Sequence, residues 1–237
     1  MAIEMATVKG NFVFRDDVNT WRWYDAIGPN VVKWLEDAVT FNVGDTGANP
    51  TAYVTTEVGT NTVAPVAGAP GGRVVITTGA TENNGLEMQL LGEAFKLSSG
   101  HQCYFGARFA GNDVDQSDFL LGLAITDTTC IAGCTDGLYF RSVDESGVLN
   151  FILEKNSVET SNAAATMTDG AYVTAEWFWD GTNVTAYING VQVAQVATTD
   201  ASFPNDEYMT PTIGILTGEN SANTLTFEWA RCIQVQI

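Results

Sequence analysis

Hydrophobic and polar positions alternate most regularly between Ala171 and Ala194, in the stretch AYVTAEWFWDGTNVTAYINGVQVA. Val173, Ala175, Trp177 and Trp179 fall on one side of a two-residue period and Tyr172, Thr174, Glu176 and Phe178 on the other, the pattern of a half-buried strand. Asp180-Gly181 and Asn189-Gly190 interrupt the run, and both dipeptides suit hairpin turns whose central residues take positive φ. Three consecutive antiparallel strands are therefore predicted here. Comparable short runs predict strands over Arg73–Thr78, Leu86–Leu90, Ala94–Leu97, Gln102–Phe109, Phe119–Thr126, Gly137–Ser142, Val148–Glu154, Thr212–Leu216 and Leu225–Gln236. Turn signals such as Ser98-Ser99-Gly100, Asp136-Gly137 and Glu145-Ser146-Gly147 separate several of them. Short strands at regular spacing, with no long helical period, predict an all-β antiparallel two-sheet sandwich over residues 51–237.

Residues 1–50 read differently, as an irregular N-terminal arm or docking region. Phe12, Phe14, Trp21, Trp23, Tyr24 and Trp34 concentrate aromatic surface there. They are candidates for contact with a partner, because aromatics are enriched at interface cores, or else they cap an open end of the sandwich. Gly28-Pro29-Asn30 before Val31-Val32-Lys33-Trp34-Leu35 predicts a helical turn. From Ala48 to Gly72 the Thr, Ala, Pro and Gly content predicts a long loop.

Composition narrows the function classes. In 237 residues, 45% are hydrophobic and 16% charged, which argues for a folded chain. Ten Lys+Arg against 28 Asp+Glu give a formal charge of −18. Such a surface repels a phosphate backbone and anionic membranes, so neither nucleic acid nor membrane is an expected partner. It would attract a basic protein surface or a cation. MAIEMATVKGNFVF lacks the basic region and apolar core of a secretory leader, so secretion by a signal peptide is not expected.

Candidate chemistry is sparse. Cys130 and Cys134 lie in a loop with three residues between them, a spacing that fits free thiols, a small disulfide-closed loop or half of a metal site. Cys103 and Cys232 fall in strand segments as small buried hydrophobes. His101, the single histidine, lies beside Cys103 next to a turn. No nucleotide-type glycine loop is present, and no catalytic residue is assigned. Asp113, Asp115 and Asp118 could offer oxygen ligands to calcium at one loop, or form a solvated acidic loop. Trp179, Tyr187 and Asn189 could present an aromatic platform and polar donors to a sugar ring, although the tryptophan is equally explained as core.

Several segments together, AFKLSSGHQCYFGARFAG, DFLLGLAITDTT, DGLYFRSVD, TAEWFWDGTNVTAYINGVQVA and TLTFEWARCIQVQI, resemble the concanavalin A-like jelly roll of laminin-G-like, legume-lectin and family 16 glycosidase domains over residues 72–237. An enzyme of that kind would carry Glu-x-Asp-x-x-Glu on one strand, and no such run occurs here. The acidic clusters sit at turns instead, around Asp113 and at Asp144-Glu145, while Glu176 and Glu228 are lone strand carboxylates. FLLGLAITDTT followed by DGLYFRSVDESG is also similar to structural proteins of tailed bacteriophages. That resemblance implies a non-enzymatic virion protein that decorates or cements the capsid. Its partners would be the major capsid protein and neighbouring copies of itself, as a homo-oligomer on the capsid surface, assembled in the host cytoplasm. The lectin resemblance implies instead a carbohydrate-binding module, with no obligatory cofactor in either case.

Overall fold

The computed structural model describes residues 2–39, 41, 52–143 and 146–236, and every regular element among them is a β-strand. In chain order these are β1 (Ile3–Val8), β2 (Asn11–Asp16), β3 (Trp23–Ile27), β4 (Val31–Glu36), β5 (Tyr53–Val58) and β6 (Thr62–Pro65). There follow β7 (Val74–Thr77), β8 (Gly85–Leu90), β9 (Gln102–Gly111), β10 (Ser117–Ala124), β11 (Gly137–Ser142) and β12 (Val148–Lys155). The last six are β13 (Val158–Thr166), β14 (Val173–Trp179), β15 (Asn183–Ile188), β16 (Val191–Ala197), β17 (Thr210–Thr217) and β18 (Thr224–Val235).

Antiparallel pairing orders β13-β12-β11-β10-β17-β8-β5 into one seven-stranded sheet. A second, eight-stranded sheet runs β16-β15-β14-β9-β18-β7-β6, with β4 alongside β18. The expected two-sheet antiparallel sandwich is the observed architecture, and both anticipated hairpin turns are formed, with Asn189 at φ 50° and Gly190 at φ 82°. Alternation explains the core directly. Phe105, Ala107 and Phe109 of β9, Ala175 and Trp177 of β14, and Phe227 of β18 face Phe119, Leu121, Phe140, Phe151 and Ile215 of the other sheet in one buried cluster. A smaller core lies on the far face of the seven-stranded sheet, where Cys130, Ile131 and Cys134 of the connection after β10 cover Leu120, Tyr139 and Ile152.

Several expectations about the rest of the chain are corrected. The N-terminal region is regular: β1, β2 and β3 form a three-stranded sheet of their own. Its Val13, Trp23 and Ala26 are packed with Tyr104, Ile233 and Val235 on the outer face of the eight-stranded sheet. Val31–Glu36, where a helical turn was expected, is strand β4, paired with Val235 through Ala230 of β18. The positive edge of that choice is Trp34, buried in the main core with its Nε1 donating to the Tyr53 hydroxyl at 3.1 Å. Within the expected loop, residues 52–72 contain β5 and β6. β13 was not anticipated, and Ala94–Leu97 contributes only an isolated bridge between Phe95 and Met209.

Trp23 is 1% exposed and meets Phe178 edge-on at 5.3 Å. Replacing it by alanine removes the largest apolar group between the N-terminal sheet and the sandwich. Trp23→Ala should lose about 3–5 kcal/mol in equilibrium urea unfolding.

Candidate functional site

The outer face of the eight-stranded sheet carries a cluster of charged, hydroxyl and aromatic side chains. Two rows cross it. In one, Tyr187 of β15 pairs with Glu176 of β14, Glu176 with Gly106 of β9, and Gly106 with Arg231 of β18. In the next, Thr174 pairs with Arg108 and Arg108 with Trp229. Side chains directly opposite on neighbouring strands stand within contact range. A glycine at the centre of the first row leaves a depression: a Cβ at Gly106 would come within 2.4 Å of the Tyr104 hydroxyl, which leans across it. The resulting cavity, of about 410 Å³, is lined by Arg22, Tyr24, Tyr104, Arg108, Thr174, Glu176, Asn189, Trp229 and Arg231.

A bulge builds the β18 wall. Pairing of β18 with β9 shifts between Phe227 and Trp229, which turns both Glu228 and Trp229 away from the core while Phe227 and Ala230 stay buried. An extra residue in one strand re-aims side chains in this way. Arg231 then lies over the Trp229 ring at 4.3 Å and 5.8 Å from the Tyr24 ring.

Charge at the centre of the site is strongly compensated. Glu176 is 0% exposed, and a bare carboxylate there would be costly. Arg22 grips it through Nε at 2.6 Å and through Nη2, and the Tyr104 hydroxyl donates to Oε1 at 2.8 Å. These hydrogen bonds hold the Arg22 pKa above its ordinary value, and burial followed by the Glu176 charge keeps the Tyr104 hydroxyl well above the usual tyrosine range. Glu228 is likewise taken up, accepting from Arg108 Nε at 2.6 Å and lying 3.4 Å from Arg73 Nε. Both strand carboxylates therefore act as counterions to arginines. Arg231 differs: its Nη1 donates to the Tyr24 carbonyl oxygen at 3.4 Å, and among the described residues it has no carboxylate partner.

The residues singled out in the sequence separate into distinct places. Trp179 is 1% exposed in the main core against Phe203, so it offers no ring to solvent. Tyr187 does face outward, but Trp21 stacks on it at 3.5 Å and 5°. Asn189 is exposed at the second turn and accepts from the Thr174 backbone N–H at 2.9 Å. Trp23 and Trp34 are interior, Tyr24 donates to Asp16 at 3.0 Å, Phe14 is half-buried and Phe12 is 50% exposed. Asp113 and Asp115 do converge, but with Asp169 rather than Asp118, their carboxylate oxygens lying within 4.8 Å of one another. Asp118 sits within β10 opposite Leu216. Burial, then Asp115 and Asp169, raise the Asp113 pKa. Those three groups could hold a hard cation, although calcium takes about 6–8 oxygens. Asp144 and Glu145 lie outside the described residues. All four cysteines are buried thiols, with Sγ atoms 3.7 Å apart at Cys130 and Cys134 and 3.8 Å apart at Cys103 and Cys232. His101 Nδ1 lies 3.2 Å from the Lys96 carbonyl oxygen.

One more buried carboxylate organises a loop. Glu87 of β8 accepts the backbone N–H groups of Cys130 at 3.1 Å and Ile131 at 2.8 Å. Burial raises its pKa above the ordinary 4.5 despite those bonds.

No family model matches the chain, and no curated protein is significantly similar to it in sequence. Solved structures do match. A protein of unknown function from Shewanella oneidensis MR-1 superposes with a TM-score of 0.60 at 15% identity, over 86% of this chain and 87% of that one. A glycoside hydrolase family 16 endo-glucanase from Bacteroides ovatus gives 0.60 at 11% identity, over 83% and 98%. The Emp47p carbohydrate recognition domain gives 0.59 at 12%, over 84% and 93%. The fold is therefore the concanavalin A-like jelly-roll sandwich, which enzymes and lectins share.

Two outcomes test this electrostatic arrangement. Arg22→Met leaves Glu176 buried without its cation and should cost about 3–5 kcal/mol in urea unfolding, whereas adding Glu176→Leu should recover much of the loss. For Glu87, the folded protein holds a proton that the unfolded chain has released, from pH 4.5 up to the raised value. Stability from this group falls as pH rises through that window. Glu87→Gln should flatten that part of the stability–pH curve in thermal melts.

Proposed function

We propose that this chain is a non-enzymatic structural protein, a jelly-roll coat or cement subunit of a virion that docks on the capsid through its N-terminal sheet. The observation that supports it best is the outward face of that sheet. Ile3 is 63% exposed, Met5 61%, Phe12 50% and Ile27 56%, and Phe12 pairs with Thr7 on one side and Ile27 on the other, so these apolar groups are neighbours on one surface. Apolar groups gathered in this way mark contact surfaces more often than scattered ones do. The opposite face is fixed to the sandwich by Trp23 and by the Arg22–Glu176 pair, so the surface is presented rigidly and little ordering cost accompanies binding. The capsid as partner rests on the resemblance of the β10 and β11 segments to tailed-phage structural proteins. Many symmetry-related copies would make weak individual contacts strong together.

Carbohydrate binding is the second reading, and the presence of Trp229 and Arg231 at the outer-face cavity favours it.

Truncating the N-terminus would strip Glu176 of Arg22, so surface substitutions are the cleaner test of docking. The Met5→Asp/Phe12→Asp double variant should keep the wild-type melting temperature within about 2 °C yet lose co-migration with particles in a density gradient. Wild-type protein should migrate with the particle at a fixed ratio to a capsid subunit. Migration of wild-type protein as a small free species would remove the coat reading, and unchanged binding by the double variant would place the contact on another surface.

A further inference from the structure

We infer that the outer-face cavity is a binding site for a carboxylated sugar, with Arg231 as the carboxylate receptor. This site is independent of the coat role, because it lies on the sandwich and not on the outward face of the N-terminal sheet.

Charge in this cavity runs against that of the chain. The chain carries −18 overall, yet three guanidinium groups and one carboxylate line this cavity. Two of the three are already engaged, Arg22 by Glu176 and Arg108 by Glu228. Arg231 is not, and it is held ready. Its guanidinium is stacked on Trp229 and flanked by Tyr24, with one anchoring hydrogen bond to the Tyr24 carbonyl oxygen. A planar guanidinium fixed against aromatic faces has lost much of its conformational freedom before any ligand arrives, and its remaining donors match the two oxygens of a carboxylate. Burial of β18 residues on both sides, Ala230 and Cys232 at 0% exposed, fixes the backbone that carries it.

The rest of the cavity calls for more than a bare anion. Its volume of about 410 Å³ exceeds the need of acetate and lies at the small end of ligand pockets, which run to about 300–1,000 Å³. The Thr174 hydroxyl accepts from Arg108 Nη1 at 3.4 Å and keeps its own proton to donate, Asn189 contributes the amide nitrogen left over once its Oδ1 has accepted the Thr174 N–H, and Arg108 contributes its second terminal nitrogen. These groups suit ring hydroxyls, while the half-buried Trp229 indole supplies an apolar edge for the ring. A hexuronic acid combines one carboxylate, several hydroxyls and a compact ring in this size. It can arrive as a free monosaccharide or as a residue of an acidic polysaccharide, with the same recognition chemistry.

The test is isothermal titration of the full chain with D-glucuronate, D-glucose, acetate and inorganic phosphate, together with an oligoglucuronate of four residues. Glucuronate should bind at least tenfold more tightly than glucose, acetate or phosphate. Tighter binding of the oligomer than of the monosaccharide would identify the polysaccharide as the source, and equal binding the free sugar. Arg231→Gln should weaken glucuronate binding at least tenfold with an unchanged melting temperature, and Arg231→Lys should recover only part. Because the arginine is partly solvent-accessible, Thr174→Val serves as a second variant should Arg231→Gln fold poorly, and it should also weaken binding. No glucuronate binding at millimolar concentration, equal binding of glucose or phosphate, or full binding by Arg231→Gln would each overturn the site. None of these results bears on particle co-migration, so failure here is distinguishable from failure of the coat role.

Discussion

The ion pair between Arg22 and Glu176 is the contact on which the outer face of the molecule depends. A carboxylate at the middle of a sheet, with no exposure to water, is tolerable only when its oxygens are filled by donors. Two of those donors come from outside the sandwich, on the residue just before β3, and one from Tyr104 of β9. The same segment stacks Trp21 on Tyr187 and buries Trp23 beside Phe178. The N-terminal sheet is thereby a fixed part of the fold and covers the part of the outer face that carries Tyr104, Ile233 and Val235. What remains uncovered is the cavity between Tyr24 and the bulged part of β18.

That division also sorts the charge of the protein. An acidic chain concentrates Arg22, Arg73, Arg108 and Arg231 around one face, and spends two carboxylates, Glu176 and Glu228, in holding three of them in place. The partly exposed pairs of Glu228 with Arg73 and Arg108 add little stability on their own. Here they set geometry: they orient side chains and leave one arginine uncommitted.

Much of the fold was legible because a sandwich strand has two unequal faces. The residues that β9, β14 and β15 send into the main core fall two apart, as in Phe105, Ala107 and Phe109, Ala175, Trp177 and Trp179, or Val184, Ala186 and Ile188, and Gly181 and Gly190 take positive φ in the turns after β14 and β15. β13 carries no such signal, because its residues, VETSNAAAT, are exposed or half-buried throughout and lack an apolar face. In β4 five apolar-rich residues fit a helical turn and a strand equally well, and only pairing with β18 decides between them. The site was less legible than the fold. Strict alternation through TLTFEWAR would put Trp229 and Arg231 on the same inward side as Phe227; the bulge reverses that, and the pattern of residues contains no mark of it beyond an arginine where a core residue was due. Asp169 joins Asp113 and Asp115 through tertiary contact alone, its carboxylate accepting the Val114 N–H at 2.9 Å.

The position of β18 has a kinetic consequence. It lies between β9 on one side and both β7 and β4 on the other, so Trp34 of β4 waits for Cys232 as its strand partner, and Val74, paired with Pro65 on one side, waits for Phe227 on the other. Contacts this distant in sequence make folding slow, since the entropy of closing long loops is lost before the contacts return it. During synthesis the early strands of the eight-stranded sheet must wait with unpaired edges until the residues of β18 have been made. Their exposure in that interval makes the nascent chain more prone to aggregation than the finished one.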